Sequence, residues 1–120
     1  FGGGIARSGS ICGCVTGALM YVGIRLGRTE ATDEREKAYN AATTFLETFA
    51  RKFGSLICHD LIGCDFRTPE GNACWNQVKE TKCANFVKGT VKILTGLEKQ
   101  NAKKVEKANK RSPHLNSDSA

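Results

Sequence analysis

From Ser10 to Leu97 the apolar residues return every three or four positions, and the first two runs stop at glycine. Ile11, Val15, Leu19, Val22 and Leu26 form one run, closed by Gly27. Tyr39, Ala42, Leu46, Phe49 and Phe53 form a second, closed by Gly54. Phe86, Thr90, Ile93 and Leu97 form a third, with Val87, Val91 and Leu94 beside them. Such a period is that of one face of an α-helix, and glycine suits the residue that ends it. The pattern predicts helices over about 10–26, from near Thr32 or Asp33 to Phe53, and from about Ala84 onward. Asp33 followed by Glu36 resembles a capping arrangement at the second start. Three amphipathic helices in 120 residues bury their stripes only against one another. The expected fold is therefore all-α, a small bundle of three main helices with a short cysteine-bearing helix and a loop.

Composition supports one core and no second one. With 40% hydrophobic residues, two prolines and few β-branched runs, a sandwich of many short strands is disfavoured. Ser55 to Leu61, which carries Cys58 and His59, has the size of two helical turns. Cys64 to Lys82 contains Pro69, Gly71, Asn72 and Asn76 and is expected to be an ordered loop with one turn near Trp75. The opening Phe1-Gly2-Gly3-Gly4-Ile5 is too rich in glycine for a helix interior and is expected to be a turn or a close approach. It lacks the Gly-Lys-Ser/Thr ending of a phosphate-binding loop. Residues 1–97 read as the helical cysteine-rich domain, and residues 98–120 as a basic helix end and polar tail.

The net charge of +6 is unevenly placed. Residues 1–83 hold 10 Lys/Arg against 9 Asp/Glu, and residues 84–120 hold 8 against 3. A Lys-rich helix end without interleaved aromatics is the pattern of a solvated face, so no nucleic-acid partner is expected. The longest uncharged stretch, Ser8 to Ile24, is too short and too rich in glycine and serine to span a bilayer, so no membrane partner is expected and the location is read as cytoplasmic.

The six cysteines are Cys12, Cys14, Cys58, Cys64, Cys74 and Cys83. Their spacing matches neither paired zinc-finger ligands nor the C-x-x-C of a thioredoxin-like site. Sulfurs brought together from several helix ends could instead hold zinc or an iron–sulfur cluster. Within one regular helix, residues two apart point about 200° apart, so Cys12 and Cys14 are expected to face opposite ways. Cys12 and Cys83 are expected at two helix starts, where the dipole favours a thiolate. The remaining polar residues suggest no hydrolase: His59 and His114 have no nucleophile motif beside them, and Asp60 and Asp65 read as cap or surface charges.

Several segments carry a family resemblance. Phe1-Gly2-Gly3-Gly4-Ile5, Cys12-Gly13-Cys14-Val15-Thr16-Gly17-Ala18-Leu19-Met20, Phe53-Gly54-Ser55-Leu56-Ile57-Cys58 with Leu61-Ile62-Gly63, and Cys83-Ala84-Asn85-Phe86-Val87 together resemble the redox-active proteins named for a C-GCAxxG-C-C pattern. The resemblance extends over about residues 1–97 and implies a helical fold. A related domain of split-Soret cytochromes is associated with an iron–sulfur centre, and the family's four characteristic cysteines are thought to be redox or cluster residues. Position by position, Cys12, Cys58 and Cys83 are the counterparts of three of them. The family's first cysteine lies in a helix upstream of the Phe-Gly-Gly-Gly turn and has no counterpart here, and Cys12-Gly13-Cys14-Val15-Thr16-Gly17 departs from a literal GCAxxG. Either that first helix with its cysteine is missing here, or Cys64, Cys14, Cys74 or another chain completes the site.

The expectation is a small electron-transfer protein holding a [2Fe–2S] cluster through Cys12, Cys58, Cys83 and one further cysteine, serving a redox protein partner, with a homodimer as an option. It need not be an enzyme. Two alternatives stay open: a thiol–disulfide protein using the same cysteines, and an interaction domain stapled by zinc or disulfides, or holding no metal at all.

Overall fold

The computed structural model describes residues 1–30 and 34–111, with the side chains of 101–111 left aside. The helices are α1 (Gly13–Leu26), α2 (Glu36–Phe53), α3 (Cys58–Ile62), α4 (Pro69–Val78) and α5 (Ala84–Arg111), the last joined to α4 by a π-helical segment, Lys79–Cys83. Among the described residues there is no strand, only an isolated antiparallel bridge between Ile11 and Ile57. The fold is all-α, as the periodicity predicts. The Asp33–Glu36 cap and the tail with His114 lie outside the described residues.

α1, α2 and α5 pack on one another. The core comprises Val15 and Ala18 from α1, Phe45 and Phe49 from α2, Leu61 and Ile62 from α3, and Phe86 from α5. Four rings run through it, with centroids 5.9 Å apart for Phe45–Phe49, 4.8 Å for Phe49–Phe53 and 5.0 Å for Phe53–Phe86. Burial of each such ring is worth roughly 1.5–3 kcal/mol, so the aromatic column dominates the packing of α2. The α2 stripe is centred differently from the sequence expectation. Phe45 is fully buried, whereas Tyr39 is 56% exposed under the Arg35 guanidinium. The two lie about 120° apart round the helix, so both cannot face one core. Val87 and Val91, beside the α5 stripe, are also exposed.

Three further differences matter for the cysteines. α1 begins at Gly13 and not near Ser10, because the backbone before it pairs with the segment before α3: Cys12 N donates to Leu56 O at 2.9 Å and Cys58 N to Ser10 O at 2.6 Å. The expected loop between Cys64 and Lys82 is largely helix. Thr68 caps α4 by accepting from Gly71 N at 3.0 Å, and Pro69 takes the first helical position, where its missing N–H costs nothing. Cys83 is consequently not at a free helix start but at the end of the π-helical segment that runs straight into α5.

The glycine-rich opening forms a left-handed turn. Gly3, Gly4, Ile5, Ala6 and Arg7 all have positive φ, and Gly9 N donates to Gly3 O and Ser10 N to Gly4 O at 3.0 and 2.9 Å. This conformation costs an L-residue roughly 1–2 kcal/mol, and three of the five bear a Cβ. The turn lies on α3: a Cβ on Gly4 would come within 2.5 Å of the Cys58 Cβ.

Candidate functional site

Cys12 is the residue before α1, in an extended conformation with φ −61° and ψ 137°. Cys14 is in the first helical turn. The angular argument that separates the two sulfurs holds only when both residues are helical, and Cys12 is not. Its thiol is instead close enough to that of Cys14 for the two titrations to be coupled. The expectation that Cys14 points away from the shared site is therefore corrected.

The pair holds its protons unequally. The Cys14 thiol stabilises a Cys12 thiolate, and the backbone N–H groups of Cys14 and Val15 at the open end of α1 assist. These effects outweigh burial and bring Cys12 down to about 6. Cys14 is pushed up, chiefly because its proton is held by Cys12, then by burial and by the Cys12 charge. One proton leaves the pair easily and the second leaves with difficulty.

Cys58 opens α3 as a buried residue, with the left-handed turn above it. Burial and then the charges of Cys12 and Cys83 push its thiol up to about 11. Cys83, half-buried, is raised by burial and by the charge on Cys12. Cys12, Cys58 and Cys83 are thus close enough to feel one another's charge, with Cys12 as the anionic member. Thr90 of α5 is buried, and its hydroxyl favours the Cys14 thiolate. Sequence reasoning missed Thr90, although a threonine inside an otherwise apolar stripe is a visible irregularity.

Cys64 and Cys74 are joined to each other in a disulfide with Cα atoms 5.8 Å apart. Both sulfurs are occupied, so neither is available as the fourth ligand that the sequence left open. Cys12, Cys14, Cys58 and Cys83 are the free cysteines. Among the described residues, no three His, Cys, Asp or Glu side chains are gathered as metal ligands.

A family model described as Putative redox-active protein (C_GCAxxG_C_C) matches residues 1–97. The chain belongs to this family. The C_GCAxxG_C_C match spans all of the free cysteines and the disulfide, and it ends where the α5 stripe ends, at Leu97. No curated protein and no solved structure is detectably similar to the chain. Among the described residues, no helix is long and apolar enough to cross a membrane.

Proposed function

We propose that the chain is a small thiol–disulfide redox protein whose working pair is Cys12 and Cys14. What carries this reading is the placement of two free cysteines at the start of α1, Cys12 on the extended residue before the helix and Cys14 in its first turn, together with the coupling of their titration. It supplies a thiolate nucleophile and, beside it, a thiol able to resolve the intermediate. The Cys12 thiolate attacks a disulfide of the partner, forming a mixed disulfide and releasing one partner thiolate. Cys14 loses its proton and attacks Cys12 Sγ, the mixed disulfide breaks, and the second partner thiolate leaves. Two electrons pass from the pair to the partner, and the departing thiolates take up protons.

Treating the reduced chain with a small aromatic disulfide tests this reading. It should give a Cys12–Cys14 disulfide identified by peptide mapping. Cys14→Ala should stop at a stable adduct on Cys12, and Cys12→Ala should react slowly. A wild-type chain that accumulates adducts on all free cysteines at one rate, with no Cys12–Cys14 bond, would overturn it.

A second reading, an electron-transfer protein with a [2Fe–2S] cluster on Cys12, Cys58, Cys83 and Cys14, is favoured by the mutual charge coupling of these cysteines. Bound iron would neutralise the charge that now opposes their joint ionisation. It requires the side chains to draw closer than they stand. Iron and acid-labile sulfide in protein purified anaerobically, with the absorption bands of a cluster, would select this reading. Their absence after anaerobic reconstitution with iron and sulfide would remove it.

A further inference from the structure

α1 and α5 run side by side in the same direction. α1 starts beside the segment before α3, where Cys12 N donates to Leu56 O, and Phe53, three residues earlier, packs its ring on Phe86 in the first turn of α5. At the other end the Tyr21 hydroxyl donates to Glu98, and Arg25 pairs with the same carboxylate at 3.2 Å. Glu98 therefore marks the side of α5 that faces α1, and at about 100° per residue Val87 and Val91 point within about 20° of it. Both valines are nonetheless more than half exposed. The reason lies on α1. Counting back from Glu98, Val91 stands level with about Gly17, where a Cβ would have nothing within 4 Å. The core takes Val15, Ala18 and Val22 from α1, whereas Met20 and Ile24 fall on its outer side and are 55% and 80% exposed. Phe1, also exposed, lies over Gly13 at the start of that side. Of the eight exposed large hydrophobic side chains among the described residues, five thus line one trough between α1 and α5, on the side away from α2.

The charges around this trough are of one sign. α1 contains no acidic residue, and α5 has none before Glu98, which Tyr21 and Arg25 already engage. Lys88 and Lys92 stand exposed beside the two valines, one turn apart, and no ion pair among the described residues involves either. Their like charges repel each other. We propose that the trough is a docking site for an amphipathic helix of a partner protein, with apolar side chains seated on Met20, Ile24, Val87 and Val91 and acidic residues along the edge that meets Lys88 and Lys92. A rod fits between two parallel helices, and from Gly13 to Ile24 there is room for about 16 Å of it, three helical turns. A second copy of the chain carries the same lysines and, among the described residues, no unengaged acid on this face, so it offers nothing to neutralise them. A lipid surface is flat and leaves the floor at Gly17 unfilled. The site does not depend on which chemistry the cysteines perform, and it begins at the turn of α1 that carries Cys14, so a partner seated there stands beside the free cysteines.

Met20 is the only methionine, so the magnetic resonance signal of its isotope-labelled methyl group reports on the trough alone. The full chain is titrated with short helical peptides: one with leucine at every third or fourth position and glutamate along one flank, one with lysine in place of the glutamate, and one with alanine in place of the leucine. The leucine–glutamate peptide should shift the Met20 signal and bind roughly tenfold more tightly than the leucine–lysine peptide, a preference that shrinks as salt rises, and the alanine peptide should not bind. Lys88→Glu with Lys92→Glu should invert the preference. Gly17→Leu fills open space without entering the core and should abolish binding. Both variants change only solvent-facing positions, and far-ultraviolet circular dichroism confirms that they fold. No shift of Met20 with either leucine peptide, equal binding of the two, or a preference that survives the double lysine reversal would overturn the proposal. So would a Met20 signal that changes with protein concentration alone while sedimentation shows a dimer, which would give the trough to a second copy. Loss of the signal on phosphatidylserine vesicles, with no response to the peptides, would give it to a lipid surface and equally overturn the proposal.

Discussion

The thiolate on Cys12 exists because its immediate neighbours are donors and not because the site is open. Burial raises a cysteine and is the largest cause at Cys58, ahead of the charges of Cys12 and Cys83, but the Cys14 thiol and the first N–H groups of α1 reverse the sign at Cys12. A pH dependence follows. Above about 6 Cys12 is anionic and reactive, and below it the sulfur is protonated and the rate falls. Alkylation of Cys12, followed by mass spectrometry, should therefore show an inflection near 6, and Cys14→Ala should move it upward by removing the largest favourable contribution. A wild-type inflection near that of an ordinary thiol would refute the pairing. In the core, Phe49 touches Phe45, Phe53 and Phe86 and is fully buried, so Phe49→Ala should cost roughly 3–5 kcal/mol in denaturant unfolding. A loss under about 0.5 kcal/mol, the range of a surface substitution, would contradict the assigned packing.

At the level of elements, the left-handed opening turn stores strain in three non-glycine residues, Ile5, Ala6 and Arg7. Ala6→Gly removes a Cβ from a positive φ, where glycine is unstrained, and this relief offsets the extra entropy of the unfolded chain. Its measured stability should be unchanged or higher by up to about 1 kcal/mol. A loss of about 1 kcal/mol, the ordinary result of this substitution in a helix, would mean that the turn is not left-handed in solution. The same scale shows what was legible beforehand. The long helices and their mutual packing follow from period and glycine stops, since both are local signals. α4 was hidden because Pro69, Gly71 and Asn72 are read singly as breakers. Together with Thr68 they make a helix start, and Gly71 is required there because a Cβ would sit 1.5 Å from Asp65 O. The expectation for Cys12 and Cys14 failed over a three-residue error in where α1 begins. That boundary is fixed by pairing with residues 56–58, far away in sequence and invisible to any local pattern.

Across the whole molecule the cysteines divide into two chemistries that one reductant should separate. The Cys64–Cys74 disulfide ties the middle of α4 to the core, where Cys64 is 1% exposed and Cys74 only half-buried. Closing a loop of this length is worth about 2–3 kcal/mol on the chain-entropy account, so Cys64→Ala with Cys74→Ala should lower stability by that amount. An incoming thiolate reaches the more exposed sulfur of Cys74 first and would have to expel Cys64 as a thiolate inside an apolar core, which makes Cys64 a poor leaving group. The Cys12–Cys14 bond breaks by attack on either sulfur, and when Cys12 is the one expelled its thiolate is stabilised where it lands. In a fully oxidised sample titrated with a dithiol at neutral pH, the Cys12–Cys14 bond should therefore open well before the Cys64–Cys74 bond, as read by alkylation and peptide mapping. Helix content should hold through the first opening, and α4 should loosen only with the second. Simultaneous opening of both bonds, or earlier opening of Cys64–Cys74, would show that the buried disulfide is a working couple and not a staple.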